Sequence, residues 1–202
     1  MKGNEERTGD EDFENLSRCK KGDIDAFELL VKKYQKRMLN IAYRVIGDYE
    51  DACEVVQDAF VSAYKNIKDF REQSRFSTWL YTIVVNLSRN RLKQIKTEFQ
   101  HVEYSIDDPL ITDDAGIKVE PVSGNPSALE ILERKEIQQK VQECINSLDN
   151  EYREVIVLRD IQGFPYDEIS NMLNIPEGTV KSRLFRARET LKESLKKMIG
   201  DL

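Results

Sequence analysis

The stretch IPEGTVKSRLFRARETL, residues 175–191, decides the fold of the C-terminal part of this chain. Pro176 and Glu177 favour a helix start, since proline presets φ and a carboxylate suits the positive end of the helix dipole. Before them, Asn174 tolerates the left-handed conformation that a tight turn requires. The apolar residues that recur at helical spacing after the turn are Val180, Leu184, Ala187 and Leu191. Together with a short apolar helix containing Ile169, Met172 and Leu173, this pattern predicts a helix-turn-helix.

The outward face of the second helix carries side chains that suit DNA. Arginine pairs bidentately with guanine in the major groove, and phenylalanine can touch a thymine methyl group. The outward residues in the N-terminal half of this helix are Lys181, Ser182, Arg183, Phe185 and Arg186. A solvated basic face with partners such as Glu189 is the alternative interpretation. The basic helix contrasts with the whole 202-residue chain, which has a formal net charge of −6.

Three apolar stripes with helical spacing occupy the first half of the chain, and three amphipathic helices can bury a shared core. The breaker Gly47-Asp48 separates the first stripe from the second. The stripes are Phe27, Leu30, Tyr34, Met38, Ile41 and Val45; then Ala52, Val55, Val56, Ala59, Phe60 and Ala63; then Phe76, Trp79, Leu80, Ile83, Val84 and Leu87. The sequence therefore predicts an all-α protein.

Composition divides the chain into two helical domains and a connector. Residues 1–12 form a polar N-terminal tail, 13–95 the first domain, and 127–202 the second. Between them, residues 96–126 are punctuated by proline and glycine and have a net charge of −5 over 96–125, which predicts a flexible, self-repelling acidic linker. Helical order is expected to return after Ser127, with Ile137, Val141, Ile145 and Leu148 facing inward.

Charge is segregated within the first domain. Residues 48–58 contain five carboxylates and no Lys or Arg, whereas residues 65–96 contain eight basic residues against two acidic ones. A domain built only for solubility would spread like charges. The segregation therefore favours two partners of opposite sign, a basic protein surface and a nucleic acid, although a solvated acidic helix remains an alternative.

Several classes of function are not supported. The polar N-terminus is not a secretory signal, and no apolar window is long enough to insert into a membrane. Cys19, Cys53 and Cys144 form no CxxC pair and are expected to be reduced thiols, and His101 is the single histidine. We find no nucleotide-binding glycine loop and no nucleophile–base set. The sequence thus predicts no metal, no cofactor and no enzymatic activity.

Three stretches in order resemble one family: DACEVVQDAFVSAYKNIKDF (51–70), FSTWLYTIVVNLSRNRL (76–92) and IPEGTVKSRLFRARETL (175–191). They are similar to bacterial extracytoplasmic-function (ECF) sigma factors of the sigma-70 family. The resemblance implies a sigma2-like helical bundle and a sigma4-like helix-turn-helix domain on either side of the linker. It also implies a cytoplasmic protein that directs RNA polymerase core to promoters in a stress or envelope response.

The resemblance further implies three sets of site residues. The acidic helix would bind the β′ clamp helices of core polymerase, while the C-terminal domain would bind the β flap and an anti-sigma factor would hold the protein inactive. The core-binding residues would be Asp51, Glu54, Val55, Gln57, Asp58 and Phe60. An exposed loop over 70–77 and the following helix would recognise and help open the −10 element through Phe70, Arg71, Arg75, Ser77, Asn86, Arg89 and Asn90. The −35 element would be read by Thr179, Lys181, Ser182, Arg183, Phe185 and Arg186.

Some interpretations stay open at this point. Trp79 either packs in the core or separates strands, and Asn86 is either a base contact or a helix-surface amide. Ser170 stands where the family often has alanine, and its hydroxyl needs a backbone acceptor. The rival function is a stand-alone helix-turn-helix regulator that binds operator DNA without polymerase. A purely helical protein adaptor would leave Arg183 and Arg186 without a role.

Overall fold

The structure, a computed structural model, describes residues 3–71, 74–102 and 128–199, with side chains over 12–71, 74–98 and 136–197. In this part of the chain all regular structure is helical. The helices are α1 (Gly3–Lys20), α2 (Ile24–Ile46), α3 (Tyr49–Asn66), α4 (Phe76–Val102), α5 (Ala128–Asn146), α6 (Asn150–Ile156), α7 (Tyr166–Leu173) and α8 (Glu177–Ile199). A 3-10 turn (Ile67–Asp69) follows α3, and a π-helical turn (Val157–Ile161) extends α6. Along the described residues, no helix is both long and apolar enough to cross a membrane.

Helices α1 to α4 form an N-terminal lobe in which α2, α3 and α4 pack against one another and α1 lies on α2. Local signals set the helix boundaries. Gly47 ends α2 with a left-handed φ of 92°, and the Asp48 side chain then accepts a hydrogen bond from the Asp51 amide to start α3. The predicted stripes of α2 and α3 are buried apart from Phe27, which packs at the rim of the core.

Helices α5 to α8 form a C-terminal lobe around the apolar faces of α6, α7 and α8. The prediction for α5 was wrong at two positions, because Ile137 and Val141 are 61% and 36% exposed. Helix α5 lies at the edge of this lobe, where it contacts α8 and α2. The prediction was correct for Ile145 and Leu148, which are buried, and among the described side chains of α5 Gln142 and Cys144 are buried as well. The buried Gln142 side chain has hydrogen-bond partners. It accepts from Arg44 of α2 and donates to the Asn146 side chain.

Helical structure reaches beyond both predicted limits of the first domain. Residues 1–12, the predicted tail, are helical from Gly3, and α4 continues to Val102 inside the predicted linker. The remaining linker residues, 103–126, lie outside the described residues, as does Ser127 just before the expected return of helical order.

The two lobes pack against each other, and a continuous apolar cluster includes buried residues of both. Helix α2 contacts α5, α6 and the π-helical turn, while α4 contacts α7. Gly47 lies so close to the Asn146 side chain that an added Cβ would come within 2.8 Å of it. The sequence does not predict this contact between lobes, because its residues are far apart along the chain.

Candidate nucleic-acid and protein interfaces

The helix-turn-helix forms as the sequence predicts. Asn174 adopts φ 53° and ψ 49°, and its amide donates to the Ser170 carbonyl to close α7. The Ser170 hydroxyl finds its acceptor across the turn, 2.6 Å away at the Ile175 carbonyl. Val180, Leu184 and Ala187 are buried in the lobe. The turn therefore fixes the angle at which α8 projects its other face.

The outward face of α8 presents most of the residues expected to read DNA. Lys181, Ser182, Phe185 and Arg186 are exposed, and Phe185 is exposed to 70%. The exposed ring of Phe185 is accessible for contact with a thymine methyl group. Lys181 is positioned by its neighbours, since its ammonium lies 5.6 Å from the ring centroid of Tyr166 and 3.7 Å from a Glu177 oxygen.

Two members of the same set are less accessible. Thr179 is half-buried at the start of α8, where the Ser182 hydroxyl bonds to its carbonyl. The Arg183 guanidinium lies 2.6 Å from a carboxylate oxygen of Glu151 on α6, and the Arg183 side chain is 21% exposed. The ion pair with Glu151 therefore occupies the guanidinium that the sequence predicts as a base contact.

The segment before α4 differs from the expected exposed loop at its first residue. Phe70 is 6% exposed because its ring packs on Trp79 and Phe76, at centroid distances of 5.0 and 6.0 Å. Phe70 is thus part of the core and not an aromatic surface ready to stack on a base. Trp79 is half-buried in the same cluster. Arg71 and Arg75 remain exposed on either side of residues 72–73, which lie outside the described residues.

Polar residues of α4 continue this basic surface. Asn86 and Asn90 are exposed one helical turn apart, and Ser77 is half-buried near the helix start. Arg89 is engaged differently, because its guanidinium donates two hydrogen bonds, of 2.6 and 2.5 Å, to the Glu154 carboxylate of the C-terminal lobe. These hydrogen bonds raise the pKa of Arg89, which keeps its guanidinium charged.

The acidic helix α3 presents Glu54, Gln57 and Asp58 to solvent. Val55 and Phe60, which the resemblance placed among the contact residues, are 6% and 8% exposed and belong mainly to the core. Asp51 is already paired with Arg91 of α4, with the nearest nitrogen and oxygen 2.6 Å apart. The pair helps hold α3 on α4 and lowers the charge that α3 offers to a partner.

A groove of about 310 Å³ runs between α2 and α3 beside this acidic face. Gln57 and Phe60 line it, so the buried Phe60 still contributes one ring surface to the outside. Its other lining residues are Val31, Gln35, Lys36, Leu39, Cys53 and Val56. A mostly apolar groove between two helices can accept the apolar face of an amphipathic helix.

Sequence reasoning missed the acidic residues of α6 that hold the expected DNA-binding arginines. Glu151 pairs with Arg183, and Glu154, whose side chain is 4% exposed, pairs with Arg89. The sequence offered one signal: Glu154 directly precedes the apolar run 155–158 in a core helix, and a buried carboxylate requires a cationic partner. Nothing in the sequence indicated which arginine that partner was.

Two family models match separate parts of the chain. Residues 30–97 match the model described as Sigma-70 region 2, and residues 138–191 match the model described as Sigma-70, region 4. The first match covers most of the N-terminal lobe and the second most of the C-terminal lobe.

Similar proteins span nearly the whole chain. The RNA polymerase sigma-H factor of Pseudomonas aeruginosa is 33% identical over 195 residues, covering 96% of this chain and 98% of the relative. The ECF RNA polymerase sigma-E factor of Escherichia coli K12 is 37% identical over 188 residues, covering 91% and 94%. Among solved structures, CnrH in complex with the cytosolic domain of CnrY matches with a TM-score of 0.63 and 26% identity, covering 93% of this chain and 98% of that one.

Proposed function

This chain belongs to the ECF family of RNA polymerase sigma factors, and we propose which of its two lobes binds core polymerase and which promoter element each lobe binds. A sigma factor directs core polymerase to promoters and assists their opening. The N-terminal domain, 13–95, binds core polymerase and the −10 element. The C-terminal domain, 127–202, binds the −35 element, and residues 96–126 link the two.

The exposed face of α3 and the neighbouring groove are the proposed surface for core polymerase. Glu54 and Asp58 are exposed and supply negative charge on α3, while Gln57 and Phe60 of the same helix line the groove. The β′ clamp helices are the partner that the family provides. Complementary charges increase the rate of association, and burial of apolar surface stabilises the complex once it has formed. Both features are therefore useful in one interface.

The −10 element is proposed to bind along α4 and the segment before it. Asn86 and Asn90 offer amide donors and acceptors to base edges, and Arg71 and Arg75 can track the backbone of a melted strand. Arg89 joins them when it is released from Glu154. Phe70 supports this surface from the core and makes no base contact.

The −35 element is proposed to lie against the N-terminal half of α8. The exposed face of this helix is the main support for the proposed function. A helix that buries Val180, Leu184 and Ala187 while exposing Lys181, Phe185 and Arg186 presents a rigid reading face to a major groove. Thr179, Ser182 and Arg183 complete it, with Arg183 exchanging Glu151 for DNA.

The remaining assignments follow from the family. We place the protein in the bacterial cytoplasm, in a stress or envelope response, bound to an anti-sigma factor until a signal releases it. The β flap is the proposed partner of the C-terminal domain within the polymerase. Catalysis belongs to the polymerase, and this chain contributes binding energy and no covalent chemistry.

Run-off transcription with purified core polymerase and a promoter library tests the proposal. The wild-type chain is expected to yield promoter-specific transcripts. Tight duplex binding by the chain alone, with no such transcript, would instead identify a stand-alone regulator.

Two variants assign the surfaces. Asp58→Lys is expected to weaken core binding about tenfold or more, since it reverses charge at the proposed contact, while Glu14→Lys on α1 makes the same change elsewhere and serves as control. Arg186→Ala is expected to lower transcription by about five- to 100-fold in a manner that depends on the −35 sequence, with Lys140→Ala on α5 as control. Loss of core affinity in Arg186→Ala would contradict the assignment of α8.

A further inference from the structure

The first residue of α7 lies beside the reading face of α8. Tyr166 follows Pro165, is half-buried, and packs against the apolar core. The Lys181 ammonium of α8 lies 5.6 Å from the centroid of the Tyr166 ring. Lys181 is the first basic residue of α8, and the proposed function places it on the face that reads DNA. Tyr166 therefore borders the DNA surface, although the sequence gave it no role there.

The ring of Tyr166 is itself held in place. The guanidinium carbon of Arg159, from the π-helical turn, lies 4.8 Å from the same ring centroid. Arg159 also donates a hydrogen bond of 2.8 Å to the Phe164 carbonyl, which ties its guanidinium to the loop before α7. A planar guanidinium stacked on a ring and hydrogen-bonded to the backbone has little freedom left. Tyr166 thus has a fixed partner on the side of the lobe and presents its ring to Lys181.

Two neighbours on different helices restrict the Lys181 ammonium. Glu177, one turn earlier on α8, has a carboxylate oxygen 3.7 Å from it, and Tyr166 of α7 supplies the ring. The ion pair by itself stabilises little, because the two side chains are 58% and 50% exposed to water. The contact between cation and ring adds a factor of about two to five at an exposed site. Lys181 is therefore restricted by two partners although its side chain stays accessible to DNA.

This restriction affects how a lysine interacts with DNA. An unrestricted lysine is a strongly hydrated point charge on a flexible stem. Such a charge is attracted to any phosphate, and phosphate contacts carry no direct information about sequence. An ammonium that is already held near one point of the recognition helix loses less entropy when it donates to guanine O6 and N7. Restricting Lys181 therefore favours discrimination between bases over general attraction to the DNA backbone.

We propose that Tyr166 is a positioning residue for −35 recognition, and that its ring holds the Lys181 ammonium where it contacts a base edge. Tyr166 acts through Lys181 and does not itself read a base. This inference rests on the proposed function, because it assumes that α8 reads the −35 element. It goes further by assigning part of the sequence specificity to α7, the helix that crosses the DNA backbone in a helix-turn-helix.

Run-off transcription with the full chain and purified core polymerase tests the inference on promoters with single base-pair changes in the −35 element. Lys181→Ala first identifies the base pair whose discrimination depends on Lys181, with an expected loss of about five- to 100-fold. At that base pair, Tyr166→Leu is expected to lower discrimination by about two- to fivefold, whereas Tyr166→Phe keeps the ring and should preserve it. Tyr152→Leu is the matched control, because Tyr152 of α6 is also half-buried against the core but lies outside the helix-turn-helix. It should leave discrimination unchanged.

The double variant tests whether Tyr166 acts through Lys181. When Lys181→Ala is already present, Tyr166→Leu should have no further effect on discrimination, because the cation that the ring holds is gone. Additive losses in the double variant overturn the inference. Two other results overturn it as well: a loss of transcription in Tyr166→Leu that is equal for every −35 sequence, which indicates a contact with the DNA backbone, and equal discrimination by Tyr166→Leu and Tyr166→Phe.

A spectroscopic measurement tests the contact without a variant at Tyr166 that has to fold. In the nuclear magnetic resonance spectrum of the free full chain, the ring current of Tyr166 should shift the ε-methylene protons of Lys181 upfield from the position of an exposed lysine. Lys181→Ala assigns the signal, and an unshifted signal overturns the inference. Failure of the proposed function has a different signature, because the Lys181 signal is then shifted while saturating wild-type chain and core give no promoter-specific transcript.

Discussion

Arg153 holds together the ends of three helices, and its removal gives the strongest stability prediction. Its side chain sits at the start of α6, and Arg153 is 8% exposed. It donates to the carbonyls of Ile145, Asn146 and Leu148 at 3.1, 2.5 and 3.1 Å, and to that of Val45 at 2.8 Å. These carbonyls close α5 and α2, where the helix dipole is negative, so the guanidinium serves both lobes.

We expect Arg153→Met to lower the free energy of unfolding by about 3–5 kcal/mol. Four hydrogen bonds from a charged donor contribute about 6–12 kcal/mol in total, and the cost of burying the guanidinium offsets several of these. The same burial lowers the pKa of Arg153, which nevertheless stays charged at neutral pH. Methionine has a similar unbranched length and leaves the carbonyls unpaired.

Urea unfolding followed by far-ultraviolet circular dichroism measures the change. Arg159→Met is the matched control, because Arg159 donates one hydrogen bond of 2.8 Å, to the Phe164 carbonyl, and stacks over Tyr166. Arg159→Met should lower the free energy of unfolding by about 1 kcal/mol. A loss below about 1 kcal/mol for Arg153→Met would refute the view that this guanidinium closes the two helix ends.

Two further predictions concern single turns of the chain. Asn174→Val is expected to lower the free energy of unfolding by about 2 kcal/mol, since a β-branched side chain is strained at φ 53°. Asn174→Gly should change the free energy of unfolding by no more than about 0.5 kcal/mol. Equal thermal stability of the two variants would contradict this account. Asp23 caps α2 through the Ala26 amide and accepts from Arg18, and these hydrogen bonds hold its pKa below the ordinary value. Its contribution to stability is therefore present above about pH 4 and is lost as pH falls through the lowered pKa. Asp23→Asn should flatten the acid limb of a stability–pH curve, and an unchanged limb would show that this carboxyl is not responsible.

Local pattern was enough to predict the individual helices and the turn between α7 and α8. The apolar stripe of α3 lies wholly in the core, and Asn174 takes the left-handed conformation that its residue type allows. Both outcomes depend on forces within about one turn of helix, so a single sequence contains them.

Prediction failed where the environment of a helix decides which face is buried. Helix α4 has a second buried stripe, Tyr81, Val85 and Ser88, beside the predicted one. Tyr81 is covered by Phe164, which comes from the other lobe. Conversely, Ile137 and Val141 are exposed because α5 lies at an edge. Apolar periodicity shows that a face can be buried, and only the packing of distant elements decides whether it is.

The sequence by itself determined two helical lobes, the helix-turn-helix and the residue types that can meet DNA, because periodicity, turn conformation and charge are properties of short segments. The family came from the resemblance of three stretches, 51–70, 76–92 and 175–191. Only the tertiary structure decided which of those residues are available. Arg89 and Glu154 are 65 positions apart, and Arg37 and Gln162 are 125 apart. An ion pair depends on the distance between two charges in space, which the order of residues does not give. Arg89 is therefore an expected DNA contact when the sequence is read alone, and it is the partner of Glu154 in the folded chain.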